Sequence, residues 1–208
     1  MFISKIYLDN RKQATAKALY NRGIMHGTLE GCFKGERQHP LWRVEKKGNR
    51  FFVLVISKDA PDFSSLVDQL GDERVLPQTK LYDNYLENGI RQGDLMHFRL
   101  TANPTIKKDG KRIPLNMKRT ENHDYCAADW LRDRLSFHGA ELISGEISAF
   151  EKHRIIRNQK MITLVSADFD GELKVVDRDK FVDALKNGIG HGKAYGCGMI
   201  TVMRIMAG

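Results

Sequence analysis

What the chain lacks narrows the possibilities first. Only three of its 208 residues are cysteines, Cys32, Cys126 and Cys197, and they are widely separated. An odd, scattered set does not build a disulfide framework and fits reduced thiols in a cytoplasm. No CxxC or HxxxH pair occurs, so a structural zinc site has no support and no cofactor is implied. No apolar run approaches the roughly 18 residues of a membrane span. The opening MFISKIYLDNRK turns polar too quickly for a secretory core. The expectation is a cytoplasmic protein with no membrane partner. Low-complexity tracts are missing as well, and hydrophobic residues make up 41%, so bulk disorder is excluded.

Acidic residues are outnumbered. There are 34 Lys and Arg against 26 Asp and Glu, a formal net charge of +8. Such an excess favours a polyanion or an acidic surface as partner, or marks a merely basic soluble protein. The length suits one large domain or two of about 100 residues.

The order of predicted elements favours two. Residues 2–8 alternate like a strand, and 14–29 follow as a helix weakened in its later turns by Gly23 and Gly27. Strands over 41–46 and 51–57 flank a Lys47-Gly48-Asn49 turn, Asp62 can cap a helix over 63–70, and a strand over 73–82 closes the set. The polar stretch Asp83 to Asp94 reads as a linker. The second half repeats the order: a strand over 95–102, a charged turn, a helix over 121–138, strands over 140–150 and 161–169, a helix from Asp177, and a strand over 199–206. Ala127, Leu131 and Leu135 line one face of the first of these helices, and Phe181, Ala184 and Leu185 face inward from the second. The expected fold is α+β, two tandem ferredoxin-like (RRM-like, βαββαβ) domains at 1–83 and 94–208. Trp42 and Trp130 read as core anchors, each in a predicted strand or helix with apolar neighbours.

The sharpest local pattern runs from Gly188 to Gly198, with five glycines in eleven residues. It is either a structural bend or a place where backbone amides at Gly190 and Gly192, with Lys193, face phosphates. The P-loop pattern GxxxxGK[ST] fails because Ala194 follows Lys193. A Rossmann turn is excluded because this segment follows a helix and precedes a strand.

GIGHGKAYGCGMITV after VVDRDKFVDALKN resembles the closing motif of the repeat-associated RNA-binding proteins of CRISPR systems. MFISKIYL, YNRGIMHGTL, LWRVEK and FRLTANP resemble one branch of them, the CasE family. Its members are the pre-crRNA endoribonucleases of the subtype I-E Cascade complex. The resemblance covers nearly the whole chain in matching order. It implies tandem ferredoxin-like domains, with a catalytic histidine in the first and a basic hairpin and Gly-rich loop in the second. The implied partners are a CRISPR repeat RNA hairpin, the mature crRNA and other Cascade subunits.

The resemblance places catalysis on His26, in the MHGTL segment. Imidazole suits the task, since its unperturbed pKa near 6.5 lets it accept or donate a proton near neutral pH. RNA carries its own nucleophile, the ribose 2′-hydroxyl, so the reaction needs no metal and leaves a 2′,3′-cyclic phosphate and a 5′-hydroxyl. His26 serves either as base or as acid. Relatives can carry a tyrosine three residues before this histidine, where this chain has Gly23. Tyr20, one turn earlier, supplies a phenol or is a core aromatic, and Lys34 stabilises phosphate charge or is a solvated lysine.

For RNA binding, the segment 151–160 holds Lys152, Arg154, Arg157 and Lys160 and reads as a projecting basic hairpin, against the stem or simply exposed. Lys107, Lys108, Lys111 and Arg112 form a second basic turn, a phosphate contact or a solvated loop. His191 is a candidate to approach RNA, whereas His39, His97, His123, His138 and His153 have no evident partners and read as structural or surface residues. The competing function is a non-catalytic crRNA-binding subunit of a CRISPR effector complex. A two-histidine phosphoesterase is rejected, because it requires two HxT motifs and only His26-Gly27-Thr28 is present.

Overall fold

Strand β1 (Phe2–Tyr7) sends Ser4 and Ile6 into the interior while Lys5 and Tyr7 point away, the period-two pattern of a half-buried strand. The computed structural model that shows this describes residues 1–121, 124–157 and 160–205, with backbone but not side chains at 154–157 and 160–162. His123 and the last residue of the expected strand 199–206 lie outside the described residues.

The first half continues with α1 (Gln13–Tyr20), α2 (Arg22–Glu30), β2 (Leu41–Lys47), β3 (Arg50–Ser57), α3 (Ser64–Leu70) and β4 (Gln78–Leu81). Its sheet has the order β2-β3-β1-β4, antiparallel throughout. The core gathers Ile6, Met25, Leu29, Trp42, Val55 and Leu66, so Trp42 is the anchor the sequence suggests.

In this half three boundaries differ from expectation, each for a local reason, and in the second half the helix expected over 121–138 runs only Ala127–Phe137. The helix expected over 14–29 is broken at Asn21, whose extended backbone ends α1 while its side chain accepts from the Gly23 amide and starts α2. Asp62 accepts from the Ser64 amide at 3.1 Å, one residue ahead of the N-cap position it was expected to fill. The strand expected over 73–82 begins only at Gln78. Upstream, Asp72 ties the Arg74 amide and guanidinium into a turn, and Pro77 offers no amide to a ladder.

The stretch read as a linker holds a helix, α4 (Asp83–Asn88), which buries Leu86, and Ile90 is buried just beyond its end. The second half then runs β5 (Leu95–Ala102), β6 (Thr105–Lys108), β7 (Lys111–Pro114), α5 (Ala127–Phe137), β8 (Ala140–Arg157), β9 (Lys160–Val175), α6 (Arg178–Asn187) and β10 (Ile200–Arg204). Its sheet order is β10-β5-β9-β8, again antiparallel. In both halves the first strand lies centrally, between the third and the fourth, with the second at the edge. That arrangement makes each a ferredoxin-like βαββαβ unit. Trp130 stacks on Phe169 in the second core, with centroids 6.2 Å apart.

The chain clusters into two compact units: Met1–Tyr85 with Lys193–Gly196, and Leu86–Gly192 with the chain from Cys197 on. Part of the Gly-rich stretch thus belongs to the first unit. All three cysteines are buried and outside any disulfide. No helix among the described residues is long and apolar enough to cross a membrane.

Candidate functional site

Met25 and Leu29 of α2 are fully buried, which places His26 and Glu30, one residue further round, at the rim of the first core. The His26 side chain is 24% exposed and its Nε2 lies 3.9 Å from Glu30 Oε1, the reach of an i,i+4 pair. The Glu30 carboxylate is only 14% exposed, and the same oxygen stands 3.3 Å from Nδ1 of His39. Among the described residues, Glu30 Oε1, Glu30 Oε2 and His26 Nδ1 are buried with no hydrogen-bond partner. Each such atom costs about 1–3 kcal/mol of desolvation, so folds tolerate few of them without a functional reason. His39 is 70% exposed and sits at φ +47°, in the left-handed region that few side-chain-bearing residues adopt.

Burial pushes the pKa of His26 below the usual 6.5; the Glu30 charge pulls it back up, while His39 and Arg37 push it further down. Around neutral pH the ring is therefore mainly uncharged. A neutral imidazole accepts a proton from a hydroxyl.

The other expected catalytic residues stand differently. Tyr20 ends α1 with 90% of its surface exposed, so it is no core aromatic. Lys34 lies exposed in the loop after α2, where its charge acts on Asp62. No described contact joins either side chain to the His26 cluster. Lys193, expected as an RNA contact, stands on a turn beside α2. The short 3-10 turn Lys193–Tyr195 packs on α2, and Arg22 Nη1 donates to the Tyr195 carbonyl at 3.0 Å.

The five glycines between Gly188 and Gly198 all have positive φ. Two show why no side chain fits. A Cβ on Gly196 would come within 2.8 Å of the Trp42 ring, and one on Gly190 within 3.0 Å of Trp130. The close approach expected there is made to the protein's own tryptophans. His191, on the same stretch, is exposed and bridges to Asn103.

The basic segment expected between two strands is itself strand. The β8–β9 ladder runs unbroken in pairing to Arg157↔Lys160, with irregularities only near Leu142 and Ile147. Lys152 is exposed on it, whereas the side chains of Arg154, Arg157 and Lys160 lie outside the described ones. The charged turn is a second hairpin, β6–β7, closed by Asp109 and Gly110, both with positive φ. Lys107 faces Arg112 and Lys108 faces Lys111, all four exposed. Like charges directly opposite destabilise a ladder, so this hairpin holds its cations together against their repulsion.

Sequence reasoning missed Glu30 and the partner of His39. The four-residue spacing from His26 to Glu30 was a usable signal. The return of the chain from α2 to His39 was not legible before the loop was seen. His97 and His153, also read as partnerless, stand 3.6 Å from Glu172 and 2.8 Å from the Ser166 hydroxyl.

Comparison with known proteins bears on this arrangement. Residues 1–204 match the family model described as CRISPR associated protein. The CRISPR-associated endoribonuclease Cse3 of Thermus thermophilus is 28% identical over 97% of this chain and 99% of its own. A structure of the CRISPR endoribonuclease Cse3 bound to a 19-nucleotide RNA superposes with a TM-score of 0.81, at 27% identity over 98% of this chain and all of that one. A second, Thermus thermophilus Cse3 bound to an RNA representing a pre-cleavage complex, gives 0.79 at 25% identity, over 97% of this chain and 98% of the other.

Proposed function

The chain belongs to the CRISPR associated protein family, and from that membership we propose that it is an endoribonuclease cutting CRISPR precursor RNA at the base of a repeat hairpin. The observation that carries the reading is His26, a mainly neutral imidazole at the rim of a core, on the helix against which the Lys193 turn packs. The full-length similarity to an RNA-bound endoribonuclease supports it.

The ribose 2′-oxygen attacks the adjacent phosphorus, the bond to the 5′-oxygen breaks, and a 2′,3′-cyclic phosphate remains. No metal enters this route, because the nucleophile belongs to the substrate. His26 moves a proton, a service worth about 10²–10⁴ in rate. Lys193 supplies positive charge near the reacting phosphate, with Lys34 and Tyr20 as outlying members of the site. Alignment of the RNA supplies the remainder of the acceleration.

Binding falls to the basic hairpins: Lys152, Arg154, Arg157 and Lys160 against the stem, and Lys107, Lys111 and Arg112 against phosphates. The backbone amides at Gly190 and Gly192 join them only where the bend leaves them open. Stem contacts are shared by substrate and product, so the 5′-side product stays bound and the protein remains on its crRNA as a Cascade subunit. His26, Tyr20 and Lys34 lie in the N-terminal domain, 1–83 as the sequence divides it, Lys193 joins them from the Gly-rich stretch, and the hairpins lie in the C-terminal domain, 94–208.

The test is cleavage of a labelled repeat hairpin in EDTA by wild type and His26→Ala. Wild type should cut without metal and leave a cyclic phosphate. The variant should lose at least about 10²-fold while binding the stem. Equal cutting by both removes His26 from the reaction.

A further inference from the structure

The cluster around His26 contains more chemistry than one proton-transfer group requires. We propose that His39 is the general acid that protonates the leaving 5′-oxygen and that Glu30 is the positioning residue holding it opposite His26. This deepens the endoribonuclease reading above and rests on it.

Three observations lead there. Glu30 Oε1 is approached by His26 Nε2 at 3.9 Å and by His39 Nδ1 at 3.3 Å, so the two nitrogens stand no more than about 7.2 Å apart. In an in-line displacement the attacking and leaving oxygens lie on opposite sides of phosphorus, each within about 3 Å of its proton-transfer partner. A separation of that order lets two imidazoles flank one phosphate. Second, the two rings differ in environment. His26 is largely buried, and His39 is open to an incoming substrate. Third, the Glu30 carboxylate is buried without a hydrogen bond among the described residues, and the His39 ring nitrogen 3.3 Å away is the donor it is placed to receive. A carboxylate left unpaired at a core rim is costly, and the rare backbone conformation of His39 is what brings that ring to it.

The step balances. The 2′-hydroxyl proton passes to neutral His26, the 2′-oxygen bonds to phosphorus, and the phosphorus–5′-oxygen bond breaks. The 5′-oxygen takes the proton carried by His39. His26 ends protonated and His39 neutral, and exchange with water restores both. No oxidant, reductant or further reactant is needed. The charges acting on the His26 ring are those of Glu30, His39 and Arg37.

The experiment is single-turnover cleavage of a labelled repeat hairpin by the full chain in EDTA, across pH 5 to 9 (about the range in which imidazoles titrate). Wild type, His26→Ala, His39→Gln and Glu30→Gln are compared on two substrates. One has the natural linkage and the other a bridging 5′-sulfur at the cut, whose leaving group needs no proton. His39→Gln should lose about 10²-fold on the natural linkage and recover on the sulfur substrate. Glu30→Gln should move the acid limb to lower pH, because the His26 ring loses the negative charge that favours its protonated form. His26→Ala should stay impaired on both substrates. Equal losses by His39→Gln on the two substrates, or a wild-type rate on the natural linkage, overturn the assignment of the acid while leaving the endoribonuclease reading standing. Unimpaired cutting by His26→Ala removes His26 from the reaction, and failure of the wild type to cut defeats the endoribonuclease reading itself.

Discussion

Arg22 and Tyr195 are 173 positions apart in sequence, yet the guanidinium of one donates to the carbonyl of the other at 3.0 Å. The bond pins the first turn of the His26 helix to the turn that carries Lys193. A hydrogen bond from a charged donor contributes about 1.5–3 kcal/mol. Arg22→Ala should therefore lower stability by about 1–2 kcal/mol in urea titration, and should slow single-turnover cleavage more than it weakens RNA binding. Stability equal to wild type would show that the contact adds nothing.

The opposed cations of β6–β7 give a prediction with two signs. Lys111→Glu replaces the Lys108↔Lys111 repulsion with an attractive cross-strand pair, about 0.2–1 kcal/mol in the hairpin's favour. The same change should weaken binding to a repeat hairpin and reduce its salt dependence, because phosphate contacts release counter-ions. Stability and affinity should move in opposite directions. Unchanged affinity and salt slope would mark the turn as ordinary solvated surface.

Gly196→Ala forces a Cβ to within 2.8 Å of the Trp42 ring at a backbone φ of +77°. Strain and overpacking together should lower stability by about 2–4 kcal/mol, read as a drop in melting temperature. Gly27→Ala, where an added Cβ meets nothing within 4 Å, should be neutral or slightly stabilising through helix propensity. Equal effects of the two would contradict the packing described for the Gly-rich bend.

Acid should destabilise the protein in two separate windows. His26 has a depressed folded-state pKa, so the unfolded chain takes up a proton there first. Its contribution is present above about pH 6.5 and is lost as pH falls from there through the folded value. The Arg119 guanidinium, the Cys126 thiol and the Cys126 amide hold the Asp129 carboxyl well below the usual range. That contribution is present above about pH 4 and is lost only as the solution becomes strongly acid. His26→Gln should flatten the upper part of a stability-versus-pH curve, and Asp129→Asn the lower part. A curve unaltered by either substitution would remove that group from the linkage.

Much of the architecture was legible, because alternation and turn chemistry are local. The strand at 2–8, the Lys47-Gly48-Asn49 turn and the inward face of Phe181, Ala184 and Leu185 all follow from residues within a few positions of one another. What escaped was set by single side chains or by distant contacts. Asn21 splits one expected helix into two through its own cap. Leu86 anchors a helix within the expected linker that only its burial reveals. In the candidate site, His26 was legible from its motif. His39 was not, because nothing local marks a surface histidine whose partner lies on the preceding helix. Lys193 was found for its glycine neighbours, although those glycines serve two tryptophans.

Lys193–Gly196 complete a unit otherwise built from the first 85 residues. During synthesis the N-terminal sheet has all its strands long before this tetrapeptide leaves the ribosome. The helix bearing His26 then still lacks the carbonyl that Arg22 grips. The rim of the first core around His26 therefore closes in two stages, the sheet early and the Arg22 contact only after about 110 further residues have been made.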